Sequence, residues 1–341
     1  MRTLILDRPG SFRLADTPAP SRPGAGMAIV RVLRIGVCGT DFHAWQGRQP
    51  FFTYPRVLGH ELAVQVIAVA DDVANVRAGD RCAVEPYVDC GECRACRIGR
   101  NNCCERLTVL GVHVDGGMRE QFTVPARKLH PSSRLSDDSL ALVETLSIGA
   151  HTVRRAGPAA GDRVVVLGAG PIGLGVATFA VESGARVSVA DVDRDRLDFC
   201  GASMPNVDVL DLSAGFVESV VRAHHDGELP SIVIDASGNA ASMRAAFTLI
   251  ANGGTLVFVG LVVDDLTFND PDFHRRETTL LASRNALPDD FRRVIAALED
   301  RRIDVERWIT HRAELGAAAR AIPEWTRPGG RLVKALIEIR E

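Results

Sequence analysis

The chain has 341 residues, with 46% hydrophobic and 24% charged residues and a formal net charge of −3 at pH 7. This length predicts two domains, because single cores seldom grow so large, and the slightly negative charge offers no basic face for nucleic acid. The longest apolar stretch, residues 164–181, is interrupted by glycines and Pro171, which predicts turns rather than a membrane span. We therefore expect neither nucleic acid nor a membrane as a partner.

The texture of the sequence changes once along the chain. Short β-branched runs separated by Gly, Pro and Asp fill residues 1–142 and predict a β-rich, barrel-like domain. Strands and helices then alternate over 143–276, starting with VVVLGAG and PIGLGVATFAVESG, which predicts a parallel sheet in an α/β domain. Residues 277–341 are too few for a separate core, so we expect them to pack back on the first domain.

A first candidate metal site combines a thiol, an imidazole and carboxylates. Cys38 in IGVCGTDFH and His60 in LGHE both follow β-like runs, and such ligands suit zinc. Taken alone, Cys38 could be an inert thiol in the core, and His60 could be an imidazole with ordinary hydrogen bonds. Glu61 and Glu144 strengthen the pattern, because either carboxylate can supply a third ligand or exchange with water. Asp41 is a candidate partner for an imidazole N–H.

A second candidate metal site lies at about residues 88–106, in DCGECRACRIGRNNCC. Four cysteines at this spacing predict one tetrahedral zinc with no open position, which makes the site structural. Disulfides or a redox pair are the alternatives, but the beginning MRTLILDRPG lacks a secretory pattern, which favours a reducing cytoplasm. The predicted ligands are Cys90, Cys93, Cys96 and Cys104, and spacing alone leaves Cys103 as an alternative to Cys104.

A glycine motif opens the second domain. VVVLGAGPIGLG contains GxGxxG between a strand and a helix, which is the context of dinucleotide binding. The next strand ends at Asp191, whose carboxylate suits ribose hydroxyls and repels a 2'-phosphate, so NAD is favoured over NADP. Arg194 and Arg196 argue the other way unless they are merely solvated. The predicted cofactor residues are Gly168, Gly170, Pro171, Ile172, Gly173, Asp191 and Arg196.

Over essentially its full length the chain resembles the zinc-dependent medium-chain dehydrogenase family. The resemblance rests on GVCGTD, GHE, the four-cysteine lobe, GDR at 79–81 and GAGPIG, in the family's order. It is most similar to the sorbitol and threonine dehydrogenase branch, where Glu144 occupies a ligand position, although Thr145 follows where the branch usually has Pro. The stretches CRIGRNNCC, LGVHVDGGMREQFTVPA and LLASRNAL are similar to bacterial dehydrogenases that oxidise C5 of L-galactonate or L-gulonate.

This resemblance implies a GroES-like catalytic domain, a Rossmann domain, a catalytic and a structural zinc in each subunit, and NAD. It also implies hydride transfer from a secondary hydroxyl of a sugar acid or polyol. Thr40 matches the family's proton relay and His43 is a candidate to continue it, unless they are a cap and a surface histidine. Arg284 falls where the polyol branch has an arginine facing the cleft, and His113 is a possible substrate contact.

Several alternatives stay open at this stage. Sorbitol, L-threonine or butanediol could be the substrate, and a non-catalytic dinucleotide-binding regulator or a zinc-free quinone reductase could share the fold. The resemblance implies a homodimer or homotetramer, in which the late strand GGTLVFVGL could pair at a sheet edge. Four aromatic side chains could wall the substrate pocket: Trp45, Phe51, Phe52 and Tyr54.

Overall fold

The computed structural model describes residues 1–50, 52–327 and 331–340. Phe51, one of the aromatic residues expected to wall the pocket, lies outside the described residues. The chain divides into two compact units: the first joins Met1–Glu144 to Leu287–Glu341, and the second is the continuous stretch Thr145–Ala286.

In chain order, the secondary structure passes from the first unit into the second and then returns to the first. The strands are β1 (Arg2–Arg8), β2 (Ser11–Asp16), β3 (Met27–Val37), β4 (Arg56–Val57), β5 (Glu61–Val69), β6 (Arg81–Val84), β7 (Tyr87–Val88), β8 (Thr108–Val109), β9 (Gln121–Pro125), β10 (Leu129–Pro131), β11 (Arg163–Leu167), β12 (Arg186–Asp191), β13 (Asp208–Asp211), β14 (Ile232–Asp235), β15 (Thr255–Phe258), β16 (Thr279–Ala282), β17 (Ile309–Glu314) and β18 (Lys334–Glu338). The helices are α1 (Gly39–Trp45), α2 (Arg94–Arg97), α3 (Asp137–Ala156), α4 (Pro171–Glu182), α5 (Arg194–Ser203), α6 (Glu218–His224), α7 (Ala240–Ala246), α8 (Asp270–Arg275), α9 (Pro288–Glu299) and α10 (Leu315–Trp325). None of the helices in the described ranges is both long and apolar enough to cross a membrane.

The larger sheet of the first unit is built around β3, whose run MAIVRVLRIGV is mostly buried, with half-buried positions at Met27, Arg31, Leu33 and Arg34. Its order is β10-β6-β5-β3-β18-β17, and β9 also pairs with β3. A smaller sheet has the order β2-β1-β4, and β7 and β8 form a separate ribbon. Because β18 pairs antiparallel with β3, the C-terminal segment is part of the same sheet as the N-terminal strands. Leu4, Val30, Val64 and Phe122 belong to the core of this unit.

The second unit contains a six-stranded sheet in the order β13-β12-β11-β14-β15-β16, with parallel pairing throughout. Its strands are apolar runs such as RVVVL in β11, as expected for a sheet covered on both faces. The chain crosses from β11 to β12 through α4 and from β12 to β13 through α5. The parallel sheet, together with the β-rich first unit, confirms the predicted α/β fold class.

Two expectations about this sheet need correction. The predicted boundary at residue 276 falls ten residues before the end of the second unit at Ala286, because β16 pairs with β15 and extends the same sheet. The strand in GGTLVFVGL is β15, and it lies between β14 and β16 rather than at the edge. The strand at that edge is β16, and its Leu280 side chain is 40% exposed.

Candidate active site

A thiol, an imidazole and a carboxylate converge in the first unit. Cys38 follows the end of β3, His60 immediately precedes β5, and Glu61 is the first residue of β5. The two strands are antiparallel with Gly36 opposite Glu61, so the end of one meets the start of the other. The ligand atoms of Cys38, His60 and Glu61 all lie within 4.8 Å of one another.

Asp41 ties together the two loops that present these ligands. Its Oδ2 accepts a hydrogen bond from the backbone N–H of Cys38 at 2.9 Å, and its Oδ1 accepts one from that of Gly59 at 3.3 Å. The same Oδ1 lies 4.0 Å from Nδ1 of His60, which is too long for the imidazole hydrogen bond that was expected. Asp41 is fully buried, and this burial raises the pKa of its carboxyl group. Its main contacts are therefore with the backbone of the ligand loops.

Lys334 is a site residue that the sequence did not reveal. It begins β18, and its ammonium donates a hydrogen bond to Oε1 of Glu61 at 2.5 Å. Gly36, on the neighbouring strand, leaves room for this carboxylate, since a Cβ there would lie 2.0 Å from Oε2 of Glu61. A single lysine in an apolar run carries no pattern that points to a partner 273 residues away.

Glu144 has a separate partner, Tyr87, which sequence reasoning also missed. Glu144 lies in α3, and its Oε1 accepts a hydrogen bond from the hydroxyl of Tyr87. Burial raises the pKa of Tyr87 and so does the charge of Glu144, so the phenol keeps its proton and donates it. Burial also raises the pKa of Glu144. Among the described residues, the cluster of mutually close ligand atoms includes Glu61 and not Glu144.

The donor set of this cluster fits a borderline metal such as zinc. A sulfur, an imidazole nitrogen and a carboxylate oxygen are ligand types that zinc binds. His60 is 6% exposed, and its Nδ1 has no hydrogen-bond partner among the described residues. Burial would lower the pKa of His60, yet Asp41 and Cys38 raise it well above its ordinary value. This reflects a negative local potential that favours a bound cation.

The predicted relay residues lie on the helix that follows Cys38. Thr40 and His43 are both in α1, three residues apart, so they share one face of the helix. Partial burial and the positive charge of Arg48 lower the pKa of His43. Part of the His43 surface is exposed to solvent, and Thr40 is half-buried. Their relay role is not tested by this geometry and stays a prediction.

The predicted substrate residues are placed on exposed segments. His113 lies in the loop after β8, and its Nδ1 accepts a hydrogen bond from the N–H of Val109 at 3.0 Å. Arg284 follows β16 in the second unit and is exposed. Both assignments stay predictions.

The aromatic residues expected to wall a pocket are partly buried. Trp45, Phe52 and Tyr54 all pack against the core of the first unit. The rings of Phe52 and Tyr54 meet edge to face with centroids 4.9 Å apart, and the hydroxyl of Tyr54 donates to the carbonyl of Ala44 at 2.5 Å. These contacts describe core packing with one exposed side.

The four-cysteine lobe brings its sulfur atoms together. Those of Cys90, Cys93, Cys96 and Cys104 all lie within 4.8 Å of one another, whereas Cys103 is exposed. Sγ of Cys96 is 3.5 Å from that of Cys93 and 3.9 Å from that of Cys90. A tetrahedral zinc with Zn–S bonds of about 2.3 Å has sulfur atoms about 3.8 Å apart, so the sulfur positions fit one ion. Cys104, and not Cys103, belongs to this cluster of sulfur atoms, and its role as a zinc ligand stays a prediction.

A buried polar network lies under this lobe. Asp89 accepts hydrogen bonds from Asn101 at 2.8 Å and from Arg127 at 2.6 Å. Lys128 is 2% exposed and contacts Asp89 at 2.9 Å and also Glu85. Charged groups this deeply buried are retained only when they are paired, as they are here.

The glycine motif has the backbone geometry of a nucleotide loop in the second unit. Gly168 has φ +104°, which only glycine adopts readily, and it follows β11 directly. Gly170 caps α4, and Pro171 and Ile172 form its first turn. Gly173 packs so closely that a Cβ there would lie 1.8 Å from the carbonyl oxygen of Gly168. The first turn of a helix has N–H groups without partners inside the helix, so the N-terminus of α4 is suited to bind a phosphate.

Asp191 ends β12 beside this loop. Its Oδ2 accepts a hydrogen bond from the N–H of Ala169 at 2.7 Å, and its Oδ1 accepts one from that of Asp193 at 3.0 Å. Arg194 pairs with Asp211 at 2.7 Å, and Nε of Arg196 lies 3.7 Å from Asp193. Both arginines are thus next to acidic side chains on an exposed surface. The binding roles of Asp191 and Arg196 stay predictions.

Models of known families match both parts of the chain. Residues 24–134 match the alcohol dehydrogenase GroES-like domain, and residues 171–300 match the zinc-binding dehydrogenase domain. The first match contains Cys38, His60 and the four-cysteine lobe, and the second contains Gly173 and Asp191.

Individual relatives extend the similarity to the full length. An L-galactonate-5-dehydrogenase of Escherichia coli K12 is 41% identical over 99% of this chain and 98% of its own length. The starvation-sensing protein RspB of the same strain is 32% identical and covers 100% of both chains. A solved alcohol dehydrogenase structure, RspB of E. coli CFT073 with NADH, superposes with a TM-score of 0.92 at 31% identity, covering 99% of each chain.

Proposed function

We propose a substrate for this chain, which belongs to the zinc-dependent medium-chain alcohol dehydrogenase family and is an NAD-dependent oxidoreductase. The proposed substrate is a hexonate, L-galactonate or L-gulonate, and the group that reacts is its C5 hydroxyl. The observation behind this choice is the 41% identity with an L-galactonate-5-dehydrogenase along 99% of the chain. The reaction oxidises a secondary alcohol to a ketone, passes a hydride to NAD and releases one proton.

The proposed metal ligands are Cys38 and His60 together with a carboxylate from Glu61 or Glu144. A zinc ion held there supplies Lewis-acid polarisation of the substrate hydroxyl. Glu61 is the carboxylate in the cluster of close ligand atoms, and Lys334 holds it. Glu144 is held by Tyr87 instead. The four cysteines of the lobe hold the second, structural zinc.

The proposed proton path runs along α1. Thr40, two residues after Cys38, accepts the hydroxyl proton from the substrate and passes its own onward. His43, one turn later and exposed, receives the proton and releases it to water. Partial burial and the charge of Arg48 lower the pKa of His43, which favours the neutral imidazole, the form that can accept a proton.

Two residues are proposed to select the substrate. A guanidinium such as that of Arg284 presents a rigid fork of donors that matches the carboxylate of a hexonate. His113 offers an imidazole to a sugar hydroxyl. Asp191 is proposed to bind the adenosine ribose and to exclude a 2'-phosphate by charge repulsion.

We also propose that the protein self-associates as a homodimer or homotetramer through β16. This strand is at the edge of its sheet, and Leu280 exposes 40% of its surface there. An exposed strand edge with apolar side chains favours pairing with another chain. Sedimentation of the wild type and of a Leu280→Lys variant tests this: a mass unchanged by the substitution contradicts pairing at β16.

The experiment that tests the substrate measures NADH formation by the zinc-loaded protein. L-galactonate, L-gulonate, sorbitol, L-threonine and 2,3-butanediol are compared, with Cys38→Ser as the control. Turnover of a hexonate that is lost in the control supports the proposal. Preference for sorbitol, threonine or butanediol keeps the reaction class and replaces the substrate, and no turnover of any of them favours another substrate or a dinucleotide-binding role.

A further inference from the structure

The function proposed above uses Glu144 as a candidate metal ligand but assigns no role to Tyr87 beyond its hydrogen bond to this carboxylate. Tyr87 is 3% exposed and Glu144 is 5% exposed, so neither side chain reaches bulk water freely. The hydroxyl of Tyr87 donates its hydrogen bond to Oε1 of Glu144, so Oε2 is the oxygen that is not bonded to Tyr87. A buried carboxylate fixed through one oxygen keeps a defined direction for the other.

The backbone of Tyr87 is anchored to the four-cysteine lobe. Tyr87 begins β7, which pairs with β8 so that Tyr87 lies opposite Val109. Cys90 follows three residues later, and Cys104 precedes β8 by four residues. The base of the lobe therefore carries the residue that contacts Glu144.

Two carboxylates flank Tyr87 in sequence and share one cation. Glu85 and Asp89, two residues before and two after Tyr87, are 1% and 6% exposed. The ammonium of Lys128 bonds to both of them, at 2.9 Å in the case of Asp89. This bridge spans Tyr87 and restrains the strand on either side of it.

The ring of Tyr87 is also held. It meets Phe291 edge to face, with centroids 6.4 Å apart and planes at 70°. Phe291 stacks in turn on His130 at 4.9 Å and 15°, and Nε2 of His130 lies 3.1 Å from Oε2 of Glu85. The same network thus restrains both the backbone and the ring of Tyr87.

We propose that Tyr87 is a positioning residue that orients Glu144 toward the catalytic metal and links this orientation to the four-cysteine lobe. The inference rests on the proposed function in one respect, namely that Glu144 is a ligand of that metal. Groups that hydrogen-bond to metal ligands typically change metal affinity about 10- to 100-fold when they are removed.

The test compares zinc retention in Tyr87→Phe and wild-type protein, with Tyr54→Phe as the matched control. Tyr54 is the other tyrosine of the chain, and its hydroxyl donates to a backbone carbonyl. Zinc release to a chelator is followed for both ions, and Cys38→Ser identifies the ion that remains in the lobe. We expect Tyr87→Phe to release the catalytic zinc about 10- to 100-fold faster, and the control to match the wild type.

A double-mutant cycle separates positioning from general loss of structure. Tyr87→Phe is combined with Glu144→Gln. If Tyr87 acts by positioning Glu144, the double variant should release zinc no faster than Glu144→Gln alone. The proposal is overturned if Tyr87→Phe retains zinc as well as the wild type or more tightly. It is also overturned if Tyr87→Phe accelerates zinc release equally in the wild type and in Glu144→Gln. If Tyr87→Phe does not fold, Phe291→Leu loosens the same ring and must accelerate zinc release. A wild type that holds two zinc ions but oxidises no hexonate contradicts the proposed substrate and leaves this test intact.

Discussion

The ammonium of Lys334 lies 2.5 Å from the carboxylate of Glu61, although 273 residues separate the two in sequence. Their side chains are only 2% and 1% exposed. At such depth each charge would be costly without the other, because water is replaced by a medium of low polarity. The pair joins the C-terminal strand β18 to the start of β5, next to the proposed metal ligands Cys38 and His60.

Replacing Lys334 by Met should therefore destabilise the first unit strongly. We expect the free energy of unfolding to fall by about 3–5 kcal/mol, since Glu61 would stay buried without this cation. Urea unfolding at constant zinc concentration measures the change. Lys334→Arg keeps the charge and serves as the control, with a smaller expected loss. A loss below about 1 kcal/mol in Lys334→Met would contradict this account.

The ion pairs of Asp138 should make stability depend on pH in acid. Burial would raise the pKa of Asp138, but hydrogen bonds from Arg312 and Arg34 lower it below its ordinary value. A carboxyl group with a lowered pKa stabilises the fold above its unfolded pKa of about 3.9, and this contribution is lost as the pH falls through the folded pKa.

We expect Asp138→Asn to reduce the free energy of unfolding by about 1 kcal/mol at pH 7, after allowance for the partly exposed arginines. The difference between variant and wild type should shrink as the pH falls below about 4. Urea unfolding at a series of pH values measures it. A difference that stays constant down to pH 3 would show that the charge of Asp138 is not responsible.

Asp191 should determine the choice of nucleotide. Asp191→Ala should raise KM for NAD about 10- to 100-fold, the loss expected for hydrogen bonds to a charged group, and should weaken the preference for NAD over NADP. Initial rates with each nucleotide measure both effects. Asp191→Asn retains an acceptor for the N–H of Ala169, so it separates charge repulsion from loosening of the loop. An unchanged ratio of NAD to NADP activity in both variants is the contradicting outcome.

Gly173→Ala should disrupt the nucleotide loop. The added Cβ would lie 1.8 Å from the carbonyl oxygen of Gly168, so the backbone must move. We expect a loss of about 1–3 kcal/mol in the free energy of unfolding and weaker NADH binding, measured by fluorescence titration. Gly201, in α5, is the matched control, because its nearest contact would be an ordinary 3.7 Å. Gly201→Ala should leave binding unchanged and stabilise the helix by about 0.5–1 kcal/mol. Equal NADH affinity in both variants would contradict the close packing of Gly173.

Local patterns in the sequence were sufficient for the features that depend on neighbouring residues. The cysteine spacing predicted the lobe, because four thiols within fifteen residues can reach one ion without help from distant segments. The glycine motif predicted the turn at Gly168 for the same reason. The order of β14, β15 and β16 was not readable, because hydrophobic runs of similar length do not indicate which strand is at the edge.

The partners of the two site carboxylates could not be predicted. Tyr87 and Glu144 are 57 residues apart, and they meet because β7 and the first part of α3, as far as Glu144, belong to the same compact unit. For Asp41 the sequence predicted the neighbour but not the hydrogen bonds. Asp41 lies near His60 as expected, but its carboxylate accepts hydrogen bonds from backbone groups whose positions depend on the tertiary fold.

The division of the first unit into two stretches of chain has a consequence for its synthesis. At about 5–20 residues per second, the ribosome needs about 14–55 seconds to extend the chain from Glu61 to Lys334. During that interval the second unit can fold completely, because it is a continuous stretch of chain. Glu61 has no Lys334 to pair with until that residue is synthesised, so its carboxylate can stay hydrated only if β5 is not yet buried. The unit that begins first along the chain is thus the one that completes its folding last.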